Sequence, residues 1–241
     1  MKLANRNIPC KRLSTKGKYT IHHWVHGNLP LCSTCYVCGE ICGIQPQLCD
    51  FICRWCQRCV HNGCFQVKDN ECDFGPYKSV IVPPNCVRLK WVGFKGRRHL
   101  IVDSVKCPNI ENWSPIIVIA NRKSGNNDGE SILQAFRSYL NPAQVIDICD
   151  IPPESGLEWC HLLPNVDIRV LVCGGDGTIG WVLNAIERLK LDPRPQVCIL
   201  PLGTGNDLSQ VLGWGETFSG EVEVSEILDK INRARVVELD R

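Results

Sequence analysis

Residues 174–178 read Gly-Gly-Asp-Gly-Thr, and this stretch carries the most pointed chemistry in the chain. Before it, Arg169–Cys173 is a short apolar run with β-branched residues, which predicts a buried strand. After it, Ile179, Val182, Leu183 and Ile186 recur at helical spacing. A glycine-rich turn between strand and helix offers N–H groups to an anion, and the helix dipole adds to the attraction. Asp176 is the odd member, because a carboxylate repels phosphate unless a cation or hydroxyl stands between them. The pattern points to Mg²⁺ bridging Asp176 and a nucleotide phosphate, or to Asp176 meeting a hydroxyl. The plain alternative is an ordinary strand–turn–helix connection. A second constellation suits metal: His22-x12-Cys35-x2-Cys38-x14-Cys53-x2-Cys56-x4-His61-x2-Cys64-x7-Cys72. Six cysteines and two histidines are the ligands of two closed, structural zinc sites. Of 17 cysteines, eleven lie at or before Cys72, a density that calls for metal.

Two further loops need elements to position them. Asn121-Arg-Lys-Ser-Gly125 follows the apolar run Ile116–Ala120, and Leu200-Pro-Leu-Gly-Thr-Gly-Asn-Asp-Leu-Ser209 follows Val197–Leu200. Asn121, Ser124 and Gly125 can wrap a triphosphate, with Arg122 and Lys123 neutralising its charge unless one of them faces solvent. Gly203, Thr204 and Gly205 supply N–H groups and a hydroxyl. Asn206 and Asp207 suit a helix cap, a hydroxyl partner or an indirect metal ligand. Three such loops at strand carboxyl ends are what a nucleotide crevice in an α/β sheet requires.

The Gly174–Thr178 stretch resembles the signature shared by diacylglycerol kinases, sphingosine kinases, NAD kinases and phosphofructokinases. The other two loops look like the phosphate loops of the lipid-kinase branch. The cysteine–histidine spacing is similar to the diacylglycerol/phorbol-ester type of zinc finger, and Trp24 and Val60 also fit. That resemblance implies interleaved sites, one from His22, Cys53, Cys56 and Cys72, the other from Cys35, Cys38, His61 and Cys64. Diacylglycerol-binding fingers usually carry Gln-Gly shortly before the third cysteine; here stands Cys49-Asp50-Phe51-Ile52. Cysteines 32, 42, 49 and 59 lie among the ligands, and Cys32 allows a shifted register. A finger that merely supports the kinase domain or a protein partner is the alternative to lipid binding. His23 and His26 are read as bystanders.

The combination resembles a diacylglycerol kinase, closest to short finger-plus-kinase forms such as the plant and epsilon types. It implies transfer of the γ-phosphoryl group of ATP to 1,2-diacylglycerol, with ATP, Mg²⁺ and two Zn²⁺ as cofactors. Asp176 is the expected catalytic residue. The resemblance also implies a missing second, largely β lobe, so the chain alone is expected to be inactive or weak, with its general base beyond Arg241. A sphingoid or ceramide kinase, an NAD kinase and a non-catalytic lipid- or protein-binding fragment are the rival readings.

Net charge is +2, so bulk attraction to nucleic acid is not expected. No apolar run reaches the roughly 18–20 residues of a membrane span. The N-terminus has no signal-like apolar core. A reducing, cytoplasmic location with peripheral membrane association follows as the expectation. Arg88–His99 interleaves five cations with Trp91, Val92 and Phe94, which suits anionic lipid or simply water. The predicted domains are a tail (1–19), a zinc finger with its extension (20–86), a basic linker (87–113) and an α/β nucleotide lobe (114–241). Strands are expected at Val80–Val82, Gln144–Ile148 and Val236–Leu239, and helices at Ser131–Leu140, Gly156–Leu163, Leu208–Trp214 and Val224–Ala234. Cys173 and Cys198 are read as apolar fillers on buried strands.

Overall fold

The computed structural model describes residues 15–16, 19–27, 29–44, 50–65, 71–93, 98–125, 128–218 and 222–238. Cys49, most of the N-terminal tail, the stretch 94–97 of the basic connector, and Leu239 lie outside the described residues. The chain divides into two compact units, Met1–Pro76 and Tyr77–Arg241.

In the first unit, β1 (Thr15–Lys16) pairs with β2 (Tyr19–Thr20). An antiparallel sheet then runs in the order β3 (Trp24–His26), β4 (Phe51–Cys53), β5 (Cys59–Val60). Its buried apolar set is small among the described residues: a cluster of Ile52, Val60, Cys35, Cys42 and Cys59, with Trp55 buried edge to face against Phe74. Phe51 stacks on Phe65, with ring centroids 4.2 Å apart. So little apolar burial leaves metal binding as the natural source of further stability.

The second unit opens with residues that form no sheet. Val80–Val82, expected as a strand, is not one. Its backbone is bonded largely by side chains instead: Trp113 Nε1 donates to Ile81 O (2.8 Å), and two amides hold the rest beside the backbone bond from Ile116 N to Val80 O (3.2 Å). Gln144, fully buried, accepts from Val82 N (2.8 Å) and donates to Val80 O (2.9 Å) and Ile116 O (2.7 Å). Asn141 donates to Val82 O at 3.0 Å. β6 (Val87–Val92) and β7 (His99–Val105) form an antiparallel hairpin where sequence assigned no element.

The main sheet is wholly parallel. It contains β8 (Ile116–Ala120), β9 (Val145–Asp147), β10 (Arg169–Gly174) and β11 (Gln196–Pro201), in the order β11-β10-β8-β9. Between them run α1 (Asp128–Tyr139), α2 (Pro153–Leu162) and α3 (Asp176–Arg188), and after β11 come α4 (Asp207–Val211) and α5 (Val224–Arg233). α2 packs against α3, and α1 against α5. Every residue of β8 is buried, as a central strand covered on both faces requires. Ile117, Ile119, Val170, Val172 and Ile199 join Leu157, Ile179 and Val182 in one core.

Helix starts move to polar first turns and to proline. α1 begins at Asp128, with Asp128 and Glu130 facing the dipole. α2 begins at Pro153, whose missing N–H costs nothing there. The strand expected at Val236–Leu239 is absent over 236–238, where Val236 is 68% exposed. β-branched residues favour a strand when they can pack on a pleated surface, and this segment has none among the described residues.

Candidate functional site

From β8 the chain moves outward to β9, then returns to place β10 on β8's other side. The order therefore reverses between β8 and β10, the switch point at which open α/β sheets hold ligands. The loops after β8 and β10 flank that point, and the loop after β11 stands beside them.

The three loops are joined by their backbones. Asn121 N donates to Cys173 O (3.1 Å), and Leu202 N to Gly174 O (3.1 Å). A Cβ on Gly203 would lie 2.7 Å from Gly175 Cα. A Cβ on Gly174 would lie 2.6 Å from Thr178 Cβ. These glycines permit close approach of protein to protein. Gly177 differs, since nothing lies within 4 Å of the Cβ position. It occupies the first turn of α3, where the N–H groups of Asp176 and Gly177 have no acceptor among the described residues. That end of a 13-residue helix can receive an anion.

Asp176 is exposed at the same helix start. A Cβ on Gly205 would lie 3.1 Å from Asp176 Oδ2 and 3.9 Å from Asp207 Oδ1, so two exposed carboxylates flank one glycine. Hard oxygen ligands so placed fit Mg²⁺. Thr204 is exposed, Thr178 is buried, and Asn121 reaches Thr178 Oγ1 at 3.5 Å.

Asn206 does not cap α4 with its side chain and does not face solvent. It is fully buried in a left-handed conformation (φ 56°). Its amide accepts from Gly203 N (3.0 Å) and donates to Gly203 O and Glu216 O (2.7 Å each). It clasps the loop shut. Of the two cations in the first loop, Lys123 is exposed and Arg122 is engaged by Asp147 and Asp150. The hydrogen bonds it donates to Asp150 and Asp147 push the Arg122 pKa up, keeping it charged. Ser124 N donates to Asn121 O (3.0 Å), and Gly125 takes φ +63°.

Sequence reasoning passed over Gly129 and Asp147. A Cβ on Gly129 would meet Asn121 O at 2.1 Å, so α1 needs glycine to approach the loop. A glycine in a helical run, and a lone carboxylate in the apolar Val145–Ile148, are the signals that mark them.

In the first unit, His22, Cys53, Cys56 and Cys72 converge, as do Cys35, Cys38, His61 and Cys64, with ligand atoms within 4.8 Å of one another in each set. His22 Nδ1 lies 3.2 Å from Cys53 Sγ and 3.4 Å from Cys56 Sγ, and His61 Nδ1 lies 3.3 Å from Cys38 Sγ. Zinc with bonds of roughly 2.0–2.3 Å needs tetrahedral ligand atoms about 3.5 Å apart, so both sets fit it. The turn after β4, with Gln57 at φ 61°, brings Cys56 beside Cys53. His61 Nε2 is 3.0 Å from Ile41 O, which orients the ring. Asp50 accepts from Gly43 N (2.7 Å) and Asn62 N (3.1 Å), tying the loops around the second set. Cys32 belongs to neither set. His26 is exposed, with its ring 4.6 Å from that of Phe51.

A large cavity of about 1620 Å³ lies away from the glycine loops, beside β11, between Leu183 and Ile186 of α3 and Ile231 of α5.

The diacylglycerol kinase catalytic domain family matches residues 115–239, a stretch that contains all three loops. Diacylglycerol kinase eta of Mesocricetus auratus is 40% identical over 220 residues, covering 91% of this chain and 18% of that protein. Diacylglycerol kinase kappa of Homo sapiens is 40% identical over 225 residues, covering 91% and 17%. Diacylglycerol kinase eta of Drosophila melanogaster is 39% identical over 224 residues, covering 91% and 11%. The chain thus spans less than a fifth of the length of these curated relatives. With its sheet and glycine loops inside the matched stretch, the chain belongs to the diacylglycerol kinase catalytic domain family.

Proposed function

We propose that the three loops bind ATP with Mg²⁺, and that the chain carries the nucleotide half of a phosphoryl transfer to diacylglycerol. The γ-phosphoryl group passes to the free hydroxyl of 1,2-diacylglycerol, giving phosphatidic acid and ADP. The reading is carried by the convergence of the three loops at the switch point between β8 and β10.

Asn121, Ser124 and Gly125 wrap the phosphates, with Lys123 as the available cation. Gly177 and Thr178 present the start of α3. Thr204 supplies a hydroxyl and Gly205 an N–H. Gly174, Gly175, Gly203 and Asn206 keep the loops in contact. Asp176 and Asp207 hold the metal; Mg²⁺, when bound, neutralises phosphate charge. Catalysis by this set is positioning and electrostatic stabilisation. Two zinc ions hold the first unit as structural groups.

The substrate places the reaction at a membrane surface, and the proposed location is cytoplasmic with peripheral attachment. No described helix is long and apolar enough to cross a membrane. The first unit exposes Leu31, Ile41 and Ile44. The hairpin exposes the cross-strand pair Trp91 and Leu100 near Arg88 and Arg98, a suitable contact for anionic lipid. Each such cation contributes about 1 kcal/mol near a charged leaflet.

Titration of the chain with Mg-ATP, beside Asp176→Asn, tests the nucleotide reading. Binding weakened about tenfold or more in the variant is expected. A folded wild-type chain that ignores Mg-ATP would sink it. Product analysis with diacylglycerol, ceramide and sphingoid base then tests the substrate, and phosphorylation of either of the latter two in preference overturns the assignment.

A further inference from the structure

Arg122 sits between Asn121 and Lys123, so its place in the sequence suggests a phosphate ligand. Its guanidinium turns instead toward the loop after β9. One nitrogen, Nη1, donates to both Asp147 Oδ2 and Asp150 Oδ1, the latter at 2.8 Å. Asp147 ends β9, is 5% exposed, and uses its other oxygen to accept from Cys149 N at 3.0 Å. The same turn returns to the phosphate loop a second time: Cys149 Sγ donates to Asn121 Oδ1 at 3.3 Å. Asn121 Oδ1 also accepts from Lys123 N at 3.0 Å, and its amide nitrogen faces Thr178 at the start of α3.

The first loop is thus gripped from two sides. Asn121 connects it to the Gly-Gly-Asp-Gly turn, and Arg122 fastens it to the β9–α2 turn. A guanidinium held by two carboxylates is not free to follow a ligand, and its charge is already matched.

We infer that Arg122 is a positioning residue. It latches the Asn121–Gly125 loop to Asp147 and Asp150, and supports nucleotide binding through that latch rather than by touching phosphate. The latch also keeps two carboxylates paired beside a site meant for a polyanion. Unpaired, the buried Asp147 would carry a desolvated charge and both acids would repel phosphate. The inference rests on the reading of this loop as phosphate-binding.

A double-mutant cycle tests it. Arg122→Gln and Asp147→Asn each break the latch, so each weakens Mg-ATP binding about tenfold and the double variant is no worse than the singles. Arg122→Lys, which keeps one ion pair, recovers most of the affinity. Additive losses, about a hundredfold in the double variant, would overturn the inference, because Arg122 would then act on nucleotide independently of Asp147. So would a loss confined to Arg122→Gln. If Asp147→Asn unfolds, the exposed Asp150→Asn replaces it in the same cycle. Hydrogen–deuterium exchange of residues 121–125 gives a readout without nucleotide. Faster exchange in Arg122→Gln is expected, and unchanged exchange overturns the latch. A wild type that binds no Mg-ATP would count against the nucleotide reading, while the exchange result still decides the latch.

Discussion

The glycines of the three loops do different work, and substitution separates them. Gly203→Ala drives a Cβ into Gly175 Cα and Asn206 Oδ1, at 2.7 and 2.8 Å. Both neighbours are fixed, so the variant should lose about 1–3 kcal/mol in urea unfolding. Gly177→Ala meets nothing within 4 Å and improves helix propensity, so stability should hold. The added methyl occupies the open space over the α3 N-terminus, so Mg-ATP affinity should fall in this variant with no loss of stability; unchanged affinity would move the phosphates elsewhere. Cysteines sort in the same way. Burial pushes the Cys173 thiol up, and pushes Cys198 up to about 11, so both stay protonated and shielded at neutral pH. Iodoacetamide at pH 7.5 should label exposed Cys107 and leave these two intact until the sheet unfolds, as peptide mass mapping would report. At this scale the sequence was partly legible. The placement of Asp176, Lys123 and the glycines on loops that follow β8, β10 and β11 could be read, because their spacing is local. The burial of Asn206 and the diversion of Arg122 were not legible, since their partners Glu216, Asp147 and Asp150 come from other turns.

The strands of the parallel sheet were readable because burial on both faces demands continuous apolar runs, and Ile116–Ala120 is such a run. Val80–Val82 has the same appearance but a different fate. Its partners include the amides of Asn141 and Gln144, roughly sixty residues away, and no period in the sequence announces them. Gln144→Leu keeps the volume and removes every hydrogen bond of that side chain. It leaves Ile116 O, Val82 N and Asn141 N without that amide, while Val80 O keeps Ile116 N, and should cost about 3 kcal/mol, measured as a lower urea midpoint. A loss under about 1 kcal/mol would mean that water replaces the amide. The β6–β7 hairpin was open to prediction: Val87-Arg88-Leu89-Lys90-Trp91 alternates apolar and basic residues at the strand period, a pattern easily read as a charged run alone.

For the molecule as a whole, the two units should respond differently to chelation. The first buries few apolar side chains beside eight candidate ligands, while the second has an extended apolar core around a parallel sheet. EDTA should therefore abolish the protection of amides in β3, β4 and β5 and leave those of β8, β10 and β11 slow to exchange, because zinc binding free energy is folding free energy in such modules. The interleaving of the two ligand sets adds a stoichiometric consequence. All of Cys35, Cys38, His61 and Cys64 lie inside the sequence span from His22 to Cys72, and Cys53 and Cys56 of the outer set lie between Cys38 and His61. Neither ion can gather its four ligands without drawing in the chain that carries the other's. Loading is then all-or-none: in native mass spectra of a zinc titration, the apo and two-zinc ions should exchange intensity directly, with the one-zinc ion staying a minor peak throughout.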